Sequence, residues 1–245
     1  MRSPFKVGGG CVNAGTHMSV LRTGIASFIV VDCVELNATA KEELDALTQG
    51  GDSIVAVLNT HPYHTLYVDR FHTMYPSIPT RRWYGTPRHI LKFVVDSVGN
   101  PITWFGSLND ACVRRTFEPD IFMQIPAGAE FVNPQPANRN HFSNVVIFHS
   151  PSKTLHTDDL MMYYERPGLL RAIGVRSCTL MFHFSLMNCG LHRTPEAPRE
   201  FYAWATAILD SWDFENIATA HNGVCYKNAK VCRPKVLVRK PAHFV

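Results

Sequence analysis

His61 and His64 stand just after Ser53-Ile54-Val55-Ala56-Val57-Leu58, an apolar run of strand length, with Asn59-Thr60 between. Two imidazoles are thereby crowded at the C-terminal edge of a buried strand, the place where α/β folds keep their chemistry, and the chemistry open to them is ligation of a transition metal. The chain holds 12 His, so a pair at this spacing arises easily by chance and takes its meaning from the rest of the pattern.

The elements that must position this pair are readable around it. Ser27 to Val34 is a β-branched run containing Asp32, and Thr39 to Leu47 has helical character, with Thr39 as N-cap candidate and Glu42 three residues on. Leu66 to Tyr75 reads as a helix closed by Pro76, Arg81 to Tyr84 as a strand, and Thr86-Pro87 as a turn or helix start. From Gly99 to Asn140 the chain is rich in Pro, Gly and Asn, with short strands expected at Ile102 to Phe105, Ile121 to Ile125 and Glu130 to Val132. Val145 to Phe148 and Thr154 to Thr157 form a hairpin pattern around Ser150-Pro151-Ser152-Lys153, and Asp158-Asp159 follows it. Pro195 to Trp212 is the clearest amphipathic helix and leads to a last strand near Ile217 and then Ala220-His221-Asn222-Gly223.

At 245 residues and 46% hydrophobic, the chain can bury a sizeable core. One domain over 1–245 is expected, with halves of roughly 16–125 and 126–245 flanking a strand-rich middle. The net charge of +4 is spread out in short clusters such as Arg81-Arg82, Arg114-Arg115 and Lys235 to Lys240, which argues against a nucleic-acid partner. The seven Cys are odd in number and show no two-residue separation of the kind zinc and redox motifs use. Cys33, Cys178 and Cys225 lie near apolar stretches and are expected as buried thiols. Met1 to Gly10 has a Gly-rich polar stretch where a leader's apolar region would be, and no apolar run reaches membrane-spanning length. The expected address is an intracellular, reducing compartment, the cytoplasm. Gly8-Gly9-Gly10 lacks both a preceding strand and a following Gly-Lys-Ser/Thr, so a flexible terminus is expected there rather than a phosphate loop.

Four segments, SFIVVDCVELN, VAVLNTHPYHTLYVDRFHTMYP, SNVVIFHSPSKTLHTDDL and IATAHNG, occur in the order expected of the metallo-beta-lactamase superfamily. Together they cover most of the chain's organisation, and the chain resembles a divergent branch of that superfamily described as a domain of unknown function. The resemblance implies an α/β fold, a four-layered αββα sandwich with a metal site at one sheet edge. Typical members build that site from a Thr-His-x-His-x-Asp-His motif, a further His, a bridging Asp and a final His.

Thr60 and His61 match the start of the motif, but Tyr63 replaces the second His, Thr65 the Asp and Leu66 the third His. His64 falls one place off register. Asp159 matches the bridging Asp, His221 the final His, and His141, just before the SNVVIF strand, the middle one. The implied metal ligands are therefore His61, His64, His141, Asp159 and His221. Asp32 stands where the superfamily has a structural Asp that buttresses the site, and His149 is either a hydrogen-bonded core His or a donor supporting the ligands. A dinuclear hydrolase holds its cations about 3.5 to 4 Å apart and needs a full ligand set. With the Asp and third His missing, this pattern implies one divalent transition metal, zinc or iron, and a chain that binds none stays open.

Two functions follow. In the first, a metal-activated water attacks an ester, amide, thioester or phosphoester of a small-molecule substrate, with Tyr63 or His89 polarising the departing group. In the second, the site has decayed and a non-catalytic protein of the same fold binds a ligand or a protein partner. Arg81-Arg82-Trp83-Tyr84 and Arg88-His89 mix cations with aromatics, which suits an anionic or planar ligand as well as an ordinary strand surface. No membrane partner is expected, and the oligomeric state is open, with the Lys230 to Val245 tail able to pack back as a strand or reach a second subunit.

Overall fold

Phe28, Ile29, Val30 and Val31 are all buried, so this run behaves as a strand covered on both faces, as members of parallel sheets are. A computed structural model describes residues 1–229 apart from 5, 8–11, 14, 77, 79–81, 166–170, 173, 222 and 228. The triple glycine at 8–10, Arg81 and the 230–245 tail thus lie outside the described residues. The chain divides into two units, Met1–Thr116 and Phe117–Val245.

The first unit opens with two-residue strands, β1 (Arg2–Ser3) and β2 (Lys6–Val7), which pair antiparallel with β4 (Thr16–His17) and β3 (Val12–Asn13) respectively. A five-stranded sheet follows in the order β5 (Ser19–Thr23), β6 (Ser27–Val31), β7 (Ile54–Asn59), β8 (Trp83–Gly85) and β9 (Trp104–Ser107). β5 and β6 form an antiparallel hairpin, whereas β6 through β9 run parallel and are joined across α1 (Ala38–Thr48), α2 (Val68–Met74) and α3 (Pro87–Lys92). A short α4 (Ala111–Arg115) comes last. Parallel register places Val31 against Leu58, Asn59 against Gly85 and Gly85 against Ser107. The residues that leave these strands, Asp32, Thr60, His61 and Thr86, therefore share one sheet edge. Val30, Leu44, Val57, Phe71 and Trp83 belong to the core of this unit.

Helix α1 starts at Ala38, with Asn37 as its N-cap instead of the expected Thr39. The Asn37 side-chain oxygen accepts from the Ala40 amide at 2.8 Å, and Asn is at least as good a cap as Thr. Thr86 and Pro87 do start a helix, with the Thr86 side chain as cap and Pro at the first position.

The second unit carries a sheet in the order β10 (Ile121–Gln124), β11 (Val146–His149), β12 (Thr154–Thr157), β15 (Asn216–Thr219) and β16 (Val224–Cys225). A separate hairpin joins β13 (Met161–Tyr164) to β14 (Thr179–Phe182), and α5 (Ala197–Ser211) precedes β15. The expected β11–β12 hairpin forms, with Phe148 opposite Leu155 and His149 opposite Thr154. β12 and β15 are parallel, Thr157 against Thr219. The start of β11 and the ends of β12 and β15 consequently lie at one edge, which gathers residues 141–145, 158–159 and 220–221. Helix α5 buries Ala197, Phe201, Ala205 and Ile208, a stripe of helical period, the last three in a core that includes Phe142, Val146 and Leu155.

Two expectations are corrected here. Glu130 to Val132 makes no strand, because the Glu130 carboxylate accepts the amides of Val132 and Asn133 and curls the chain into a turn. Cys178 is exposed, at a positive φ of 58° next to β14, while Cys33 and Cys225 are buried thiols. No helix among the described residues is long and apolar enough to cross a membrane.

Candidate metal centre

The first half of the site begins with a clamp. Asp32 is buried at the end of β6 with φ 57°, a conformation Asp tolerates better than most residues. Its two carboxylate oxygens accept the Thr60 amide and the Thr60 hydroxyl, each at 2.6 Å, while its own amide donates to the Leu58 carbonyl. Charge-assisted bonds of this kind fix the chain as it leaves β7.

His61, only 1% exposed, comes next. Its Nδ1 accepts the amides of Tyr63 at 3.0 Å and His64 at 3.2 Å, so in the neutral ring the proton resides on Nε2. The ring stacks on His64 with centroids 4.2 Å apart. Tyr63 lies under the Arg88 guanidinium, 4.7 Å from the ring centroid. Thr65, buried, accepts the Lys92 ammonium at 2.7 Å, and Leu66 points to solvent at 58% exposure. The positions where typical superfamily members carry an Asp and a third His are thus filled by a hydroxyl bonded to a cation and by an exposed apolar side chain.

His89 is fully buried and caps its own helix. Its Nδ1 lies 2.8 Å from the Thr86 hydroxyl and accepts the Thr86 amide. Burial drives its pKa down to about 3 against the opposing pull of Asp32, so the ring is neutral.

The second half lies at the edge shared by β11, β12 and β15. Asp159, 5% exposed, has Oδ1 at 3.4 Å from His221 Nε2 and Oδ2 at 3.8 Å from His141 Nδ1. His141 Nε2 meets the Ala137 carbonyl at 3.2 Å, which assigns the proton to Nε2 and leaves Nδ1 as the nitrogen facing Asp159. Metal-bound histidines are held in this way, with the second ring nitrogen donating to a carbonyl. The Asp159 separations are long for hydrogen bonds, yet they are close to the edge of about 3.4 Å between donor atoms that sit about 2.0–2.2 Å from one tetrahedral ion. Around this edge, Asn140 Oδ1, Ser143 Oγ, both amide atoms of Asn144 and Thr157 Oγ1 are buried without a hydrogen-bond partner. Such atoms favour a polar occupant nearby.

By donor chemistry, His141, Asp159 and His221 of the second unit could hold a metal ion, and His61 and His64 offer imidazoles at the edge of the first. His141 and Asp159 fit that duty best, and His61 fits it least, since its Nδ1 is engaged by two amides. His221 stands with Asp159. His149 does not stand with the ligands: it occupies the turn end of the β11–β12 hairpin, away from Asp159, with Nδ1 at 2.7 Å from the Ser152 hydroxyl. Sequence reading missed Lys92 and took Thr65 only as the residue standing where the motif has its Asp. The four-residue step from Arg88 to Lys92 in a short helix was the signal that could have found the lysine.

No family model matches the chain, and no curated protein does. Solved structures do. DIM-1 metallo-beta-lactamase exposed to ceftazidime is 14% identical, with 92% of this chain and 85% of that one covered at a TM-score of 0.54. FIM-1 metallo-beta-lactamase from Pseudomonas aeruginosa, in a mono-zinc form, is 11% identical over 97% of this chain and 89% of that one, with a TM-score of 0.55. A metallo-beta-lactamase from Hirschia baltica is 13% identical over 96% and 97% of the two chains, with a TM-score of 0.54. Identities this low speak for architecture alone, and what they establish is that the chain has the metallo-beta-lactamase fold.

Proposed function

We propose that the chain is a divergent metallo-beta-lactamase-superfamily hydrolase that cleaves an ester, amide, thioester or phosphoester of a small molecule. In this reading His141, Asp159 and His221 hold a single zinc or iron ion, and the order of the motifs adds His64 as a ligand, while His61 steadies the loop through its Nδ1. The observation that carries it is Asp159, held at ligand-to-ligand rather than hydrogen-bonding separation from both His141 and His221. Supporting it, a solved protein of the same fold is described in a mono-zinc form.

A bound divalent ion supplies a Lewis acid and acidifies a coordinated water toward neutrality. The chain's own residues do the rest. Asp159 brings the negative charge that a divalent ion requires, and Ala137 fixes the His141 tautomer through its carbonyl. Asp32 fixes Thr60 and thereby the start of the imidazole loop. Tyr63, steadied beneath Arg88, is the group that polarises the departing atom, and His89 acts as a positioning residue through its cap on α3.

Elemental analysis of protein purified without chelator tests this. The expected result is about one transition metal per chain. Both the metal and the hydrolysis of a chromogenic ester should be lost together in Asp159→Ala and in His64→Ala. Metal-free protein that folds normally and ignores added zinc would overturn the hydrolase reading. It would leave the second one, a non-catalytic ligand-binding protein, which the occupied His61 Nδ1 and the Lys92-bonded Thr65 favour.

A further inference from the structure

We propose that Arg88 and Lys92 form an oxyanion-binding subsite beside the imidazole loop, and that the substrate carries a carboxylate or phosphate group that docks there. That the anion belongs to a substrate rests on the hydrolase reading. The subsite itself does not, because it is built wholly within the first unit.

The two cations are four residues apart on α3, so they share a helix face. Both reach the same loop: Arg88 lies over the Tyr63 ring, and Lys92 donates to the Thr65 hydroxyl. Neither has a carboxylate within ion-pairing distance among the described residues. Asp32 spends both oxygens on Thr60, and Asp110 is engaged as the cap of α4 at the Cys112 amide.

Arg88 is half-buried, and its Nε is shielded from solvent without a hydrogen-bond partner. A desolvated guanidinium nitrogen with no acceptor is costly, and an oxyanion is the ligand best suited to relieve it. Lys92 supplies a point charge beside it. One of its three ammonium protons goes to Thr65, which orients the other two. Tyr63 and Thr65 bracket His64 in sequence, so an anion held by this pair lies against the loop that offers the imidazoles. A substrate without an acceptor here would leave the Arg88 Nε unsatisfied, and the two positive charges give the site a reason to select acidic molecules.

Calorimetric titration of the full chain with inorganic phosphate and with acetate tests the subsite, on protein as purified and again after chelator treatment. Saturable binding of at least one of the two ions is expected, and the preferred ion tells phosphate from carboxylate chemistry. Arg88→Gln and Lys92→Gln should each weaken that binding about tenfold or more, as the loss of a charged hydrogen bond does. Lys92→Arg should keep it, and chelation and Asp159→Ala should leave it unchanged. Lys92 is exposed, so its substitution tests the proposal even if Arg88→Gln fails to fold. The proposal is overturned if neither ion binds, if the Lys92→Gln protein binds as tightly as the parent, or if chelation or Asp159→Ala abolishes the binding, since the anion would then sit on a metal. Absence of bound metal with phosphate or acetate binding intact would sink the hydrolase reading and leave the subsite standing.

Discussion

At the end of β7, His61 and His64 stack 4.2 Å apart on a loop that also receives Arg88 and Lys92. At the ends of β12 and β15, His221 and His141 flank a buried carboxylate instead, at 3.4 and 3.8 Å. Both edges collect imidazoles, but their charges are opposite. Imidazoles beside two cations that have no carboxylate partner among the described residues offer a divalent ion little electrostatic attraction, whereas Asp159 supplies the attraction outright. Cation affinity should therefore reside in the second unit, and a preference for anions in the first.

The largest expected effect separates these two contributions. Asp159→Asn removes the only formal charge in the donor set while preserving its shape. It should cost zinc affinity more than the about 10- to 100-fold typical of losing an outer hydrogen-bond partner, while His64→Ala should cost less than Asp159→Asn. Competition against a fluorescent chelator reads both. The reverse ranking would break the comparison and move the main ligands to the first unit.

Next in size is the packing beneath the second edge. Phe142 is fully buried next to His141 and packs on Phe201 and Phe182, with centroids at 5.3 and 6.4 Å. Phe142→Ala should lower stability by about 3–5 kcal/mol in urea unfolding. It should also weaken metal retention, because the backbone that aims His141 loses its support. Leu44, equally buried in the first unit, is the control: Leu44→Ala should cost about 2–5 kcal/mol and leave metal retention as it was. Equal metal loss in both variants would mean that unfolding, not aim, governs the site.

The same contrast explains what was legible in the sequence. The alternation of β-branched runs with amphipathic stretches exposed the parallel strands of the first unit, because Ser27–Val31 and Ile54–Asn59 are buried but for Ser27 and Val55 and read as apolar blocks. The β11–β12 hairpin and α5 were visible for the same reason. Less legible were features decided by single polar atoms. Asn37 outcompeted Thr39 for the α1 cap, and Glu130 turned a strand-like segment into a loop, since one side-chain oxygen bonding the local backbone overrides propensity. At the site, the grouping of Asp159 with His141 and His221 followed from motif order. The fate of His149 followed from strand register, which no spacing rule reveals. Lys92 was invisible because its importance lies in a bond to Thr65, 27 residues away.

A smaller effect tests how the first edge is held. Asp32→Asn removes the charge that binds Thr60 through two bonds and should lower stability by about 1.5–3 kcal/mol, measured by urea midpoint. If the first unit carries the preference for anions, the variant should also weaken anion binding at Arg88 and Lys92 while Asp159-dependent zinc retention persists. Loss of both together would show that the two edges do not divide the work by charge.

The smallest effect compares two His–Asp pairs. His72 and Asp96 are buried at 2.9 Å, a true hydrogen bond, in contrast to the 3.4 Å of His221 and Asp159. Burial raises the Asp96 pKa, but the His72 bond and donors from Val98 and Asn100 outweigh it and hold the carboxyl well below the usual range. A carboxyl depressed in the folded state stabilises fully above its unfolded pKa, about 3.9, and that contribution is lost as pH falls from there toward the folded value. Thermal unfolding should therefore show the parent protein losing stability below about pH 4, with Asp96→Asn giving a flatter acid limb. Metal retention near neutral pH should be indifferent to Asp96→Asn, because a carboxylate whose oxygens are saturated by backbone donors and an imidazole has little left for a cation. An Asp96 variant that sheds metal as Asp159→Asn does would erase the distinction between a pair closed by a 2.9 Å hydrogen bond and one spaced at 3.4 Å.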